Sequence, residues 1–435
     1  MRPRFLRALL PALLAALLVA VPLVLLALAV ETRPLVHEAG PPDARAAAQA
    51  RDVIDRLRTL ASSDGAVAGF STDEGELNGV LAAAQRVTRG LEGRAEVTSE
   101  GLEVALSIGA PLMPDGLWLN LRGVLAPSSE GLEIVSARVG RLPVPPALVL
   151  AAGRMGLDYV LGDGLGGAAV AVVGRVEVDP PRVTLRLSGD PAVRADFFDR
   201  LKARALGDGT ARVRLAVEDE LRRMRKASRR GELPRQGSVL PHLAAAVGNA
   251  ARAGGAGRDE MRGALYALAL ACGDPAFGQL VGVEPGPREI EAAGCDGTTL
   301  AGRDDLKRHF VVSAGLYAAT ASGRVAFGVG ELKELLDSVE SEGFSFEDMA
   351  ADAAGVRFAT ALLAAPPEEW AATAAAMTGE AALMPALDGL AEGLDAAAFE
   401  ARFGGVDSAE YAAVLAEIER RVAALPLYAP PPATN

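Results

Sequence analysis

Three stretches of the chain, "GRDDLKRHFVVSAGL", "GELKELLDS" and "GFSFEDMAADAAG", carry polar residues at spacings that could do chemistry. In the first, Asp305, His309 and Ser313 recur at every fourth residue and share one helix face. In the second, Lys333 and Asp337 are again four apart, and Glu334 lies one turn before Asp337 and Ser338. In the third, Ser345 suits a helix N-cap, Asp348 and Asp352 share a face, and Gly355 continues that face at a level where two helices can approach closely.

Such a set supports two kinds of chemistry. His309 could be a general base or a metal ligand, with Glu334, Asp348 and Asp352 as further ligands or as groups that orient it. Asp305 and Ser313 complete a candidate catalytic set with His309, Ser313 being a nucleophile candidate one turn from the imidazole. One imidazole among several carboxylates suits a hard divalent cation such as Mn or Mg better than Zn. The bland alternative is a structural network, because an unpaired buried charge is costly and pairing His309 with Asp348 or Asp352 is the economical solution. Of only four lysines, Lys202, Lys226, Lys307 and Lys333, two fall inside these stretches.

The Asp-x-Lys-x-His-Phe, Lys-Glu-x-x-Asp and Gly-Phe-Ser-x-x-Asp runs resemble the YfiM family of small envelope proteins and, more distantly, the VanZ-like membrane family. The resemblance covers about residues 304–358. It implies candidate residues (Asp305, Lys307, His309, Phe310, Lys333, Glu334, Asp337, Phe344, Ser345, Asp348, Asp352, Gly355) rather than a reaction.

The elements that must position these groups are helices. From residue 238 the periodicity is helical throughout, with helices expected at 240–253, 259–271, 304–321, 330–338, 346–363, 370–377 and 408–424, before a Pro-rich tail. Within this part Cys272 and Cys295 either pair or remain two separate buried thiols; a bridge closing that loop adds roughly 3 kcal/mol by constraining the unfolded chain.

Upstream, residues 44–61 read as an amphipathic helix and a second helix starts at Ser71-Thr72-Asp73-Glu74. The period then changes to two over Ala95–Val97, Leu102–Ile108, Leu117–Leu121 and Leu132–Ile134, the mark of antiparallel strands. Pro143, Pro145 and Pro146 stop the sheet, a helix follows to Leu161, and strands return at 170–178 and 183–187. Glycines 162, 164, 166 and 167 sit between a helix and a strand, the reverse of the order a dinucleotide-binding turn needs. The run from Leu77-Asn78 through the strands to Gly140-Arg141-Leu142-Pro143-Val144-Pro145 resembles the YpmS-like family of membrane-anchored extracytoplasmic proteins over about residues 70–190. That resemblance implies a curved sheet against helices and lipid handling; read from the residues alone, the same motifs are a helix start and a rigid sheet exit.

Residues 196–235 are charge-dense, and Arg222, Arg223, Arg225, Lys226, Arg229 and Arg230 form a compact basic cluster, a solvated helix face or a contact for anionic headgroups. Residues 8–30 carry no charge, with Arg2, Arg4 and Arg7 before them and Glu31 after. That pattern predicts a transmembrane helix with its N-terminus in the cytoplasm. A cleaved signal peptide ending at Ala27-Leu28-Ala29 is the competing reading.

The 435 residues leave room for two or three domains, and a net charge of −12 argues against nucleic acid as a partner. Two cysteines and three histidines exclude zinc fingers and iron–sulfur clusters. The expected fold class is α+β: an N-terminal transmembrane helix (residues 1–33), an antiparallel sheet domain with helices (43–190), a charged helical linker (191–237), an all-α domain (238–425) and a tail (426–435). The expected function is a non-enzymatic, single-pass membrane-anchored envelope protein with its bulk outside the cytoplasm, contacting lipid or an envelope protein. The alternatives are a metal-dependent hydrolase using His309, Asp348 and Asp352, and an assembly scaffold.

Overall fold

The computed structural model describes residues 24–428 apart from 37–42, 63–68, 89, 111, 162–163, 206–207, 254–256, 279–281, 284 and 341–342. The fold is α+β, divided into two compact units, Met1–Leu201 and Lys202–Asn435.

The expected transmembrane helix requires correction. Among the described residues no helix is long and apolar enough to cross a membrane. Residues 8–23 of the expected span lie outside the described residues; at its other end Val30 has left the helix and opens strand β1 (Val30–Glu31), pairing with Leu119. Backbone pairing claims these last residues, and the Asn120 side-chain amide donates to the Glu31 carboxylate at 2.5 Å. The Pro-rich run 430–432 also lies outside the described residues.

In the first unit, α1 (Ala44–Ser62) is followed by β2 (Gly69–Asp73) and α2 (Glu74–Val87). Ser71 and Thr72, expected at a helix start, belong to β2; Asp73 is the N-cap, in a reciprocal capping box with Glu76. A meander of β3 (Leu91–Thr98), β4 (Gly101–Ile108), β5 (Trp118–Ala126), β6 (Glu133–Val139) and β7 (Leu142–Pro143) forms the main antiparallel sheet, with β1 pairing the start of β5. After α3 (Pro146–Leu161) and α4 (Leu165–Val172), β8 (Val173–Asp179) and β9 (Arg182–Leu187) join β2 in a second sheet ordered β2-β9-β8. Residues 170–172, expected in a strand, close α4 instead: the Leu-Gly-Gly-Ala-Ala-Val run lacks a period of two. Between the layers, buried Val97, Val176 and Val183 pack with Leu77, Leu102 and Leu125.

Helix α2 is stitched to β3 by its polar residues. The Ala95 N–H donates to Asn78 Oδ1 at 2.9 Å, and the Asn78 amide donates to the Ala95 carbonyl at 2.8 Å. The Val97 N–H donates to Glu74, and Gln85 donates to the Gly93 carbonyl. Side chains along one helix thus satisfy alternate residues of a strand edge.

Helix α5 (Pro191–Ala205) crosses into the second unit, which continues with α6 (Asp208–Arg229), β10 (Gln236–Ser238), α7 (Leu240–Arg252) and α8 (Arg258–Leu268). A π-helical turn, Ala269–Gly273, extends α8; α9 (Pro287–Glu291) and β11 (Gly297–Thr299) follow. Then come α10 (Asp304–Thr320), α11 (Gly323–Glu340), α12 (Phe346–Ala364), α13 (Trp370–Ala376), α14 (Ala396–Phe403) and α15 (Ala409–Ala423). The expectation of an all-α domain is corrected by the parallel pair β10–β11, whose three-residue strands are too short for a sequence period. Helix α11 also begins earlier than expected, at Gly323.

The charged stretch expected as a linker contains α6, which packs on α8 through buried Val217, Leu221 and Met224. Four arginines of the basic cluster are partnered: Arg222 with Asp219, Arg223 with Glu220, Arg225 with Glu289 and Arg230 with Glu232. Cys272 and Cys295 form a disulfide, Cα atoms 5.0 Å apart, tying the π-turn to the chain ahead of β11. Phe344, Phe346, Phe399, Phe403 and Tyr411 form an aromatic cluster at the start of α12.

Candidate metal centre

Helices α10, α11 and α12 bring the polar residues together. Gly355 faces the backbone of α10, where a Cβ would fall 2.1 Å from the Phe310 carbonyl oxygen. Gly330 on α11 does the same at Asp352, where a Cβ would meet Oδ2 at 2.2 Å. Without side chains at these two points, the three helices close to the separation the polar groups need.

At the centre is His309. Its Nδ1 lies 3.2 Å from both oxygens of Asp352, so the Nδ1–H is committed to that carboxylate. Nε2 therefore points the other way, to Asp348 Oδ2 at 3.5 Å and Glu334 Oε1 at 3.6 Å. Ligand atoms of His309, Glu334 and Asp348 all lie within 4.8 Å of one another, and the three residues are buried. The group could hold a metal ion.

Each member is held from behind. Ser313 donates its hydroxyl to Asp352 Oδ1 at 2.6 Å. The Ser345 N–H donates to Glu334 Oε2 at 3.1 Å, and the Ser345 hydroxyl caps α12 by accepting from the Asp348 N–H. Arg303 reaches Asp348 at 3.5 Å and also pairs with Asp305, Glu347 and Glu392. Glu334 Oε1 is buried with no hydrogen-bond partner, and the Lys333 ammonium stands 3.6 Å from it while pairing with Asp337.

Burial and charge shape the ionisation. Burial pushes Glu334 up to about 8, against the opposing pull of His309 and Lys333. Burial likewise pushes Asp348 up to about 6. For His309 burial acts downward, but the carboxylates of Asp352, Asp348 and Glu334 overcome it and push the imidazole up to about 9.

The site opens on a cleft of about 470 Å³ whose walls include His309, Ser313, Asp348 and Asp352 with Gly273, Pro275 and Leu316. Asp305 lines the cleft too, but its carboxylate is spent on Arg303 rather than on His309. Ser313 binds Asp352 and stands on the Nδ1 side of the ring, so it is a support for Asp352 rather than a nucleophile activated by Nε2. His309, Glu334, Asp348 and Asp352 do converge. Sequence reasoning missed Arg303, Glu347 and Glu392, although the first directly precedes the paired aspartates at the start of α10.

Compared with family models, with curated proteins and with solved structures, the chain matches none. The family resemblances described above therefore rest on their short motifs alone.

Proposed function

We propose that the helical unit is a divalent-metal-dependent hydrolase domain, with the ion held by His309 Nε2, Glu334 and Asp348. The observation that carries this reading is Glu334: a carboxyl group with 0% exposure, one of whose oxygens has no hydrogen-bond partner and lies 3.6 Å from His309 Nε2. Leaving such an oxygen unpaired is costly unless something else satisfies it. Donors bound to one ion at about 2.1 Å sit roughly 3–3.5 Å apart at adjacent positions, close to the 3.5 and 3.6 Å seen here.

When bound, a divalent ion lowers the pKa of a water and polarises a scissile carbonyl or phosphoryl group. The chain's own contribution is orientation. Asp352 fixes the tautomer and plane of His309, Ser313 fixes Asp352, and Arg303 fixes Asp348. The cleft supplies access for a substrate. An oxygen-rich donor set with one imidazole favours Mn or Mg. The Cys272–Cys295 bridge supports an oxidising compartment outside the cytoplasm for the domain.

A second reading, a structural polar network in a non-enzymatic protein, is favoured by Lys333 and Arg303, which already offer charge to Glu334 and Asp348. Metal content and thermal unfolding with Mn, Mg or Zn separate the two. The hydrolase reading expects stoichiometric metal and a rise in Tm that is lost in His309→Ala and Glu334→Gln, with turnover in a hydrolase screen lost alongside. No metal, and no response of Tm to any of the three ions, would overturn it in favour of the network.

A further inference from the structure

Helix α3 of the first unit presents an apolar stripe outward. Leu148, Ala151, Ala152 and Met155 are spaced i, i+3, i+4 and i+7, which places them on one face, and all four are exposed, Leu148 at 60% and Met155 at 72%. Helices of folded domains ordinarily turn such a face inward. The helix's Asp158 is turned instead to α4, accepting from the Gly166 N–H at 2.6 Å. Val24, Leu25 and Leu26 are also exposed, at 56%, 47% and 59%. They precede Leu28, whose carbonyl accepts from the Arg141 N–H in the turn that leads through β7 to α3.

Three arginines stand along the same course of chain: Arg138 at the end of β6, Arg141 in the turn, and Arg154 beside the stripe on α3. All are exposed, and among the described residues none has a carboxylate within ion-pair range. In a chain of net charge −12, arginines without an acid partner that stand beside exposed apolar side chains carry the charge that would choose what covers them.

We propose that this face of α3 lies on an anionic lipid surface, the apolar stripe seated at the headgroup boundary and Arg141 and Arg154 meeting lipid phosphates. The charge chooses the occupant: two copies of this chain meeting symmetrically through α3 would set arginines against arginines. A surface of anionic headgroups over an apolar layer complements both parts of the face, with arginine stems lying along the apolar region and their heads in the phosphate layer.

The native disulfide leaves no free thiol among the described residues, so Met155→Cys in the full chain accepts an environment-sensitive fluorophore at one position. Glu100→Cys, in the exposed turn between β3 and β4, is the control. With vesicles of phosphatidylcholine and phosphatidylglycerol, the probe at 155 blue-shifts and is quenched by nitroxide-labelled lipid, while the probe at 100 does neither. Arg141→Gln and Arg154→Gln each weaken that response roughly fivefold at low salt, and phosphatidylcholine alone gives a much smaller one. An unshifted probe at 155 while the protein co-sediments with vesicles places attachment elsewhere and overturns the proposal. Equal shifts at both positions overturn it as well. So does a shift without vesicles that grows with protein concentration, which makes the occupant a second copy.

Discussion

Asp352 grips the Nδ1 side of His309 with both carboxylate oxygens at 3.2 Å, which turns Nε2 toward Glu334 and Asp348. Replacing Asp352 by Asn keeps the shape and removes the charge that anchors the ring. Metal affinity should fall 10- to 100-fold, the usual cost of losing such an anchor. Titration with Mn against a competing chelator measures it, and unchanged affinity would remove Asp352 from the centre.

Glu334→Gln has effects of opposite sign with and without metal. The substitution removes a carboxyl that burial holds at about 8, whose charged form is disfavoured in the fold. Metal-free protein at pH 8 to 9 should therefore be equally or more stable than wild type, while the gain in Tm on adding Mn disappears. Two denaturation curves, each with and without the ion, are sufficient.

Gly355→Ala tests the helix spacing. The added methyl would fall 2.1 Å from the Phe310 carbonyl oxygen, so α10 and α12 must separate. A loss of about 1–3 kcal/mol is expected from overpacking. Because His309 and Asp352 sit on those two helices, metal affinity should drop with it. Stability lost with affinity intact would show that the helices yield elsewhere.

His242 predicts an acid-side loss of stability. It is fully buried, and burial, aided by the nearby Lys307 ammonium, lowers its imidazole to about 4. A depressed histidine binds its proton more tightly in the unfolded chain. Its contribution is thus complete above pH 6.5 and is lost as the pH falls toward 4, by up to about 3 kcal/mol. Urea unfolding of wild type and His242→Gln at pH 7 and pH 4.5 isolates it: the raised carboxyls of Glu334, Glu220 and Asp348 titrate in both proteins, so the stability difference between the two should move by that amount as the pH falls.

Much of the centre was legible because helical spacing is a strong constraint. Once His309 and the pair Asp348 and Asp352 were placed on inward faces, pairing was the inexpensive outcome. Gly355 signalled a close approach for the same reason. Arg303, by contrast, binds Asp305 locally but gathers Glu347 and Glu392 only through the fold, so no local pattern marks it as a hub. Strands β10 and β11 are too short to have a period. The alternation beyond residue 91 revealed the meander, yet α4 replaced the start of an expected strand because a run of small and branched apolar residues fits either state. The uncharged run near the N-terminus matched a spanning length, but nothing in its composition shows that Val30 and Glu31 add to β5.

The row of α2 side chains along β3 has a consequence for self-assembly. An uncovered strand edge is a template on which a second chain can grow a sheet. Here Glu74 occupies the outward N–H of Val97, Asn78 both the N–H and the carbonyl of Ala95, and Gln85 the carbonyl of Gly93, so an incoming strand finds these groups taken. At the opposite margin β7 has two residues, the second a proline with no N–H to donate. The β3 margin of the meander is therefore poorly suited to the fibrous stacking that an open strand edge would invite.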